Sequence, residues 1–288
     1  MKLTNFEYVV PGSVQEACQF LSEHGTEAKI LCGGTDVIVR MRDGYWKPKY
    51  VVDIKRISGL NKISYDETIG LTIGATVTLN QVAGSEIVQK YYPVLAEGAH
   101  VIGSLQVRNR GTLVGNICNA SPLADTAPAL LVYEAEVTIA GPEGERVVPI
   151  SEFFTGPGKT VLKIGEMVTK VTVPPITDAV GRYFKHARRK AVDLSSVGVA
   201  VLVLGKDGDK VKEVRIALGA VAPTPVRAKN AEALLKDVTI TPELLEKVKE
   251  AVVSDISPIS DIRASKEYRT EISQILVKRG IEEILGWE

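Results

Sequence analysis

Cysteine is scarce in this 288-residue chain: Cys18, Cys32 and Cys118 are the only three. They are odd in number and widely spaced, whereas a disulfide framework or a Cys-rich zinc site needs pairs at short spacing. An iron–sulfur cluster held by this chain alone needs about four thiolates, so none is expected. Histidine is equally sparse. His24, His100 and His186 are scattered and read as surface or core residues, not as metal ligands. Net charge is absent too, because 35 basic side chains balance 35 acidic ones. A surface built for nucleic acid or anionic membrane carries a basic excess, so neither partner is expected. No long apolar run exists. The longest, Val197 to Leu204, falls far short of the ~20 residues of a spanning helix. The first residues, Met1 to Glu7, lack the apolar core of a secretory signal, and a cytoplasmic protein is the expectation.

What is present is an ordinary globular composition, 45% hydrophobic and 24% charged, which excludes global disorder. The length suits two domains of ~100–200 residues each. A helix is expected from Ser13, with Glu16 completing a capping box, Val14, Ala17, Cys18 and Leu21 as its apolar stripe and Gly25 as its stop. An apolar strand at Ala28 to Cys32 runs into Gly33-Gly34-Thr35-Asp36. A short helix carrying Val37, Ile38 and Met41 on one face follows, and then a strand at Tyr50 to Ile54. So residues 1–55 alternate strand and helix as a small α/β unit.

A strand over Leu71 to Thr78 and a helical stretch from Leu79 to His100, interrupted at Gly84 and Pro93, come next. Residues 103–125 are rich in Gly, Asn, Ser and Pro without either period, and such long irregular segments in compact domains are usually functional. Gly141 to Gly144 marks a hairpin between Glu136 to Ala140 and Arg146 to Ile150, and Met167 to Val173 reads as a strand. A composition shift at Pro174 to Asp178 marks a linker. The expected division is therefore 1–176, with subdomains of about 1–55 and 56–176, and 177–288. The second part reads as an antiparallel sheet (Tyr183 to Ala187, Ser196 to Leu204, Val211 to Val221) followed by helices near Ala228 to Leu235, from Thr241-Pro242, and after Ser265.

Several motifs are decoys. Gly156-Pro157-Gly158-Lys159-Thr160 resembles the end of a phosphate-binding loop, but Phe153 stands where that motif needs its first Gly, and no helical pattern follows. No dinucleotide fingerprint of the Gly-x-Gly-x-x-Gly type occurs, and no nucleophile motif surrounds any Ser or Cys.

Two loops remain. In Gly33-Gly34-Thr35-Asp36, paired glycines let backbone N–H groups converge on an anion such as a pyrophosphate, and Thr35 adds a hydroxyl. Taken alone, the plainer reading is a strand-to-helix turn capped by Thr35 or Asp36. The second loop carries Arg108 to Asn116 and then Ser121-Pro122-Leu123-Ala124-Asp125. It offers neutral donors and one carboxylate, a set suited to a dinucleotide. Its apolar members Leu113, Val114 and Leu123 mark it as packed rather than merely solvated.

At these residues the chain resembles the flavin-binding medium subunits of the molybdenum hydroxylases, the group that includes carbon monoxide dehydrogenase and xanthine dehydrogenase. The markers are Cys32 to Asp36, like that family's Ala-Gly-Gly-Thr-Asp; Ile102 to Asn116, with Ala120-Ser121-Pro122 and Asp125 after it; and Lys185 within Tyr183 to Arg189, running on to Asp193. The resemblance covers nearly the whole chain. It implies an α+β protein with a vanillyl-alcohol-oxidase-like (PCMH-type) FAD-binding fold of two α/β subdomains, then a C-terminal α+β domain.

It also implies a site. Ile30, Leu31, Cys32, Gly33, Gly34, Thr35, Asp36 and Val37, with Thr112, Leu113, Val114, Gly115 and Asn116, line the FAD pyrophosphate and ribityl chain. Asp125 bonds a sugar or ribityl hydroxyl, Ser121 is a further cofactor-binding residue, Ile102 and Val168 pack near the ring, and Lys185 approaches it. Two departures from the family pattern stand out: Cys32 replaces Ala, and Val114 replaces the first Gly of a Gly-Gly pair. A valine is costly at positive φ, so either that peptide is extended or the pyrophosphate contact is shifted. The implied cofactor is non-covalent FAD, with no catalytic or metal-binding residue in this chain. The molybdenum cofactor and [2Fe-2S] clusters belong to a large and a small partner subunit, in a dimer of heterotrimers. Electrons pass from the clusters through FAD to an acceptor that the sequence leaves open: NAD, quinone, ferredoxin or oxygen. The alternatives are a self-contained flavin-dependent oxidase or reductase of the same fold, and a non-enzymatic FAD-binding scaffold.

Overall fold

The computed structural model describes residues 3–287; the outermost expected domain limits, 1 and 288, lie outside them. Helix and sheet are mixed throughout, as the α+β expectation requires. The first unit is a three-stranded parallel sheet with Tyr50–Asp53 between Glu7–Val9 and Ala28–Leu31. Glu7–Val9 had no sequence signal of its own, because three residues are too few to display a period. The helix Val14–His24 covers this sheet, burying Ala17, Cys18 and Leu21. Ser13 caps it by accepting from Glu16 N, but Glu16 reaches back to the N–H of Gly12 and not to that of Ser13, so the expected capping box is displaced by one residue. A true box closes between Thr78 and Gln81 at the helix Leu79–Gly84.

The second unit is a five-stranded antiparallel sheet in which Met167–Val173 lies between Gly70–Gly74 and Glu136–Gly141. The expected helical stretch is three helices, Leu79–Gly84, Glu86–Tyr91 and Pro93–His100, broken at Ser85 and Tyr92. The expected hairpin is present as Glu136–Gly141 paired with Gly144–Pro149. Gly156 to Thr160 forms a tight two-stranded turn, which is not the strand-to-helix geometry of a phosphate-binding loop.

The third unit is a four-stranded antiparallel sheet in the order Ala179–His186, Val197–Leu204, Glu213–Gly219, Val226–Arg227. The apolar run Val197–Leu204 is explained by its place in this sheet. Val199, Val201 and Val203 pack with the helices Pro242–Asp255 and Lys266–Leu285, while Ala200 and Leu202 face the core of the first two units. Side chains alternate along a strand, so a strand covered on both faces shows no polar alternation. Among the described residues no helix is long and apolar enough to cross a membrane.

Candidate functional site

The strand Ala28–Leu31 delivers Cys32 to Asp36 to the edge of a cavity of about 590 Å³, within the ~300–1,000 Å³ typical of small-molecule sites. Gly34 sits at φ +77°, a backbone conformation that most side chains resist. Gly33 is constrained by space instead. A Cβ there would overlap the Arg110 carbonyl and come within 2.8 Å of the Gly111 Cα. The two glycine loops, 77 residues apart from Gly33 to Arg110, therefore touch backbone to backbone.

The second loop is not irregular. It contains the helices Leu105–Arg108 and Leu113–Cys118, capped by Ser104 and Thr112, whose hydroxyls accept from Val107 N and Gly115 N. Helices of one or two turns are too short to show an apolar stripe, which is why the segment read as a loop. The loop is pinned to the end of the second sheet by Leu79 N donating to Gly111 O at 2.8 Å and Leu113 N donating to Val77 O at 3.2 Å. Val114 lies within a helix, not at positive φ, and is 6% exposed. The strain expected from its replacing a glycine does not arise.

Most expected site residues meet at this cavity. Ile30, Cys32, Gly33, Gly34, Thr35, Asp36 and Val37 form one wall; Ile102, Thr112, Val114, Gly115, Asn116 and Val168 contribute to the others. Leu31 and Leu113 do not line it. Leu31 lies under Gly34, where a Cβ would come within 3.0 Å of its side chain, and Leu113 is fully buried. Burial pushes the Asp36 carboxyl up despite the nearby Arg40 guanidinium. Burial also pushes the Cys118 thiol up to about 12 and raises that of Cys32, so both behave as packing residues of the wall and not as nucleophiles.

Ser121, Asp125 and Lys185 lie outside the cavity lining. Ser121 Oγ accepts from Leu123 N at 3.3 Å. Asp125, 5% exposed, is the centre of a buried network. Its Oδ1 accepts from Tyr183 Oη at 2.8 Å and from Ser195 Oγ, and its Oδ2 from Lys185 Nζ at 2.9 Å. Lys185 Nζ also donates to Val101 O at 3.0 Å, next to cavity-lining Ile102. Burial holds the Tyr183 phenol well above its ordinary range, so it stays a donor. The network thus couples the C-terminal sheet to the rim of the cavity.

Sequence reasoning missed Lys29, Trp46 and the stretch Leu162 to Met167, which also line the cavity. Glu166 shapes that stretch by a fork to Arg146, with 2.8 Å to Nε and 2.8 Å to Nη2, and by accepting from Lys163 N at 2.7 Å. The hydrogen bond from Arg146 holds its carboxyl below the usual range. These contacts are distant in sequence, and no local pattern announces them. The wall as a whole offers backbone N–H groups, three threonine hydroxyls and asparagine amides, with apolar surface on either side. That donor set fits a dinucleotide with an anionic centre and two planar ends.

Comparison with known proteins agrees. The domain family described as "FAD binding domain in molybdopterin dehydrogenase" matches residues 4–176, and the "CO dehydrogenase flavoprotein C-terminal domain" matches residues 182–284. The chain is 36% identical to the xanthine dehydrogenase FAD-binding subunit of Escherichia coli O157:H7, over 95% of this chain and 94% of that one. It is 35% identical to the carbon monoxide dehydrogenase medium chain of Hydrogenophaga pseudoflava, over 96% of each. A solved carbon monoxide dehydrogenase from the same organism, one lacking the Mo-pyranopterin moiety of its molybdenum cofactor, superposes with a TM-score of 0.94 over 99% of both chains.

Proposed function

This chain belongs to the FAD-binding family of molybdopterin dehydrogenases, and from that premise we propose that it is the electron-transfer subunit of a molybdenum hydroxylase. It takes electrons from the iron–sulfur clusters of a small partner subunit, reduced in turn by a large molybdenum-containing subunit, and passes them to a final acceptor. The assembly is a dimer of such heterotrimers. Residues 1–176 serve as the cofactor domain and 177–288 as the C-terminal domain.

The single observation that carries the reading is the backbone contact between the two glycine loops, which makes one cavity wall out of Cys32 to Asp36 and Thr112 to Asn116. Bound FAD supplies the redox chemistry, and the protein supplies position and electrostatics. On this reading the Gly33-Gly34 backbone and the Thr35 and Thr112 hydroxyls face the diphosphate. Ile102 and Val168 exclude water from the ring. Lys185 approaches the ring from the C-terminal sheet, held by Asp125 and the Val101 carbonyl. A ligand hydroxyl that reaches Asp125 shares its oxygens with Tyr183 and Ser195.

Purification of the chain from its native source tests the assembly. Co-purification with a small iron–sulfur and a large molybdenum subunit is the expected result, and isolation of a lone, fully active flavoprotein contradicts it. The cofactor is expected to be non-covalent, because the Cys32 and Cys118 thiols at the cavity are held protonated. Acid precipitation should therefore release all flavin colour into the supernatant; yellow retained in the pellet would show a covalent bond.

A further inference from the structure

We propose that Trp46 is the stacking wall for the adenine ring of the dinucleotide, and so makes this chain select FAD over FMN. The inference rests on the FAD reading above and adds a residue to it. Among the described residues Trp46 is the only aromatic side chain lining the cavity. It is half-buried, in the loop between the helix Val37–Arg42 and the strand Tyr50–Asp53. Its backbone N–H donates to the Arg40 carbonyl at 3.2 Å, which fixes the loop. Two cations lie over its ring: Lys29 Nζ is 5.2 Å and the Arg40 guanidinium 4.6 Å from the ring centroid. Arg40 is itself anchored by donating to Asn119 Oδ1 at 2.6 Å, and Asn119 and Lys29 also line the cavity.

The strand Ala28–Leu31 acts as a ruler. Lys29 stands four residues before Gly33, roughly 13 Å along the strand at ~3.3 Å per residue. A diphosphate on the Gly33-Gly34 backbone has two directions open to it. One leads to aliphatic Ile102, which the reading above sets against the flavin ring. The other leads back along the strand to Trp46. A purine arriving there meets the one side chain in the cavity with a π-face to offer. Base–aromatic stacking of this kind changes affinity by roughly 10–100-fold on alanine substitution.

FMN lacks the adenosine half, so it separates this role from every other. With FAD and FMN titrated into apo chain and followed by flavin fluorescence, Trp46→Ala should weaken FAD roughly 10–100-fold and leave FMN unchanged, while Trp46→Phe retains most of the FAD affinity. A second measurement uses the intact wall. The chain has two tryptophans, Trp46 and Trp287, so in Trp287→Phe all tryptophan emission comes from Trp46. ADP, which carries no flavin, should quench that emission saturably, and FAD should compete with it. Equal weakening of FAD and FMN by Trp46→Ala, or no quenching by ADP in a chain that binds FAD, overturns the adenine assignment alone. A wild-type chain that binds neither flavin overturns the FAD reading and this inference with it.

Discussion

Gly33→Ala is expected to weaken FAD binding by at least tenfold. The added methyl is built directly onto the Arg110 carbonyl and within 2.8 Å of the Gly111 Cα, so two segments of backbone must separate. Backbone cannot swing aside as a flexible side chain can, and overpacking of this kind costs about 1–3 kcal/mol. The displacement falls on the residues proposed to frame the diphosphate, so the loss should appear in cofactor affinity as well as in stability. Gly84→Ala is the control. Gly84 is exposed at the end of a helix, and a Cβ there meets nothing within 4 Å. It should bind FAD as wild type does and be slightly more stable, because alanine has fewer unfolded conformations to lose. Flavin-to-protein ratios after gel filtration, with melting curves of the apo chains, read both effects. Full FAD occupancy in Gly33→Ala would mean that the contact between the loops does not shape the site.

Asp125→Ala should be the most destabilising single change at the rim. It removes the anion from a buried set of one carboxylate, one ammonium and two hydroxyls. Lys185, whose side chain is 13% exposed, keeps only the Val101 carbonyl. Tyr183 Oη and Ser195 Oγ lose their acceptor. Breaking a buried pair from one side costs about 3–5 kcal/mol, because a charge is left without its partner. At ~2–4 °C per kcal/mol for a chain of this size, the melting temperature should fall roughly 6–20 °C. Asp125→Asn keeps an acceptor oxygen and should lose less. The double variant Asp125→Ala/Lys185→Met removes both charges and should recover much of the loss. Recovery identifies the ion pair as the source; an equally unstable double variant would assign the effect to the hydroxyl bonds instead.

The parts of this structure that the sequence announces are those carried by neighbouring residues. Cys32 to Asp36 is a strand running into a helix with paired glycines between, and that turn follows from the local pattern, whereas its place in a cofactor site is implied only by the family resemblance. The hairpin at Gly141 to Gly144 and the caps at Thr78, Thr241 and Ser265 are equally local. The segment 103–125 misled because its two helices have four and six residues, below the length at which a 3.6-residue period is visible. Val114 drew suspicion as a misplaced glycine, yet helical backbone accepts it without strain. Trp46 and Leu162 to Met167 gave no signal, because they reach the cavity only through contacts with Lys29, Arg40 and Arg146. The Asp125 network was half legible. Both Asp125 and Lys185 stood out as residues, but their ion pair spans 60 positions, and only the packing of the strand Ala179–His186 on the helix Pro93–His100 brings them together.

The most direct test of the electron-transfer assignment compares the FAD-loaded lone chain with the assembly reconstituted from it and its small and large partners. Purines, aldehydes, carbon monoxide and N-heteroaromatics would be offered to each with an artificial electron acceptor. The lone chain should oxidise none of them and show at most diaphorase activity with NADH, while any of them that is the assembly's substrate should be turned over only by the assembly, with reduction of its FAD. Oxidation of that substrate by the lone, metal-free chain at the rate of the assembly would contradict the assignment and make the protein a self-contained flavoenzyme.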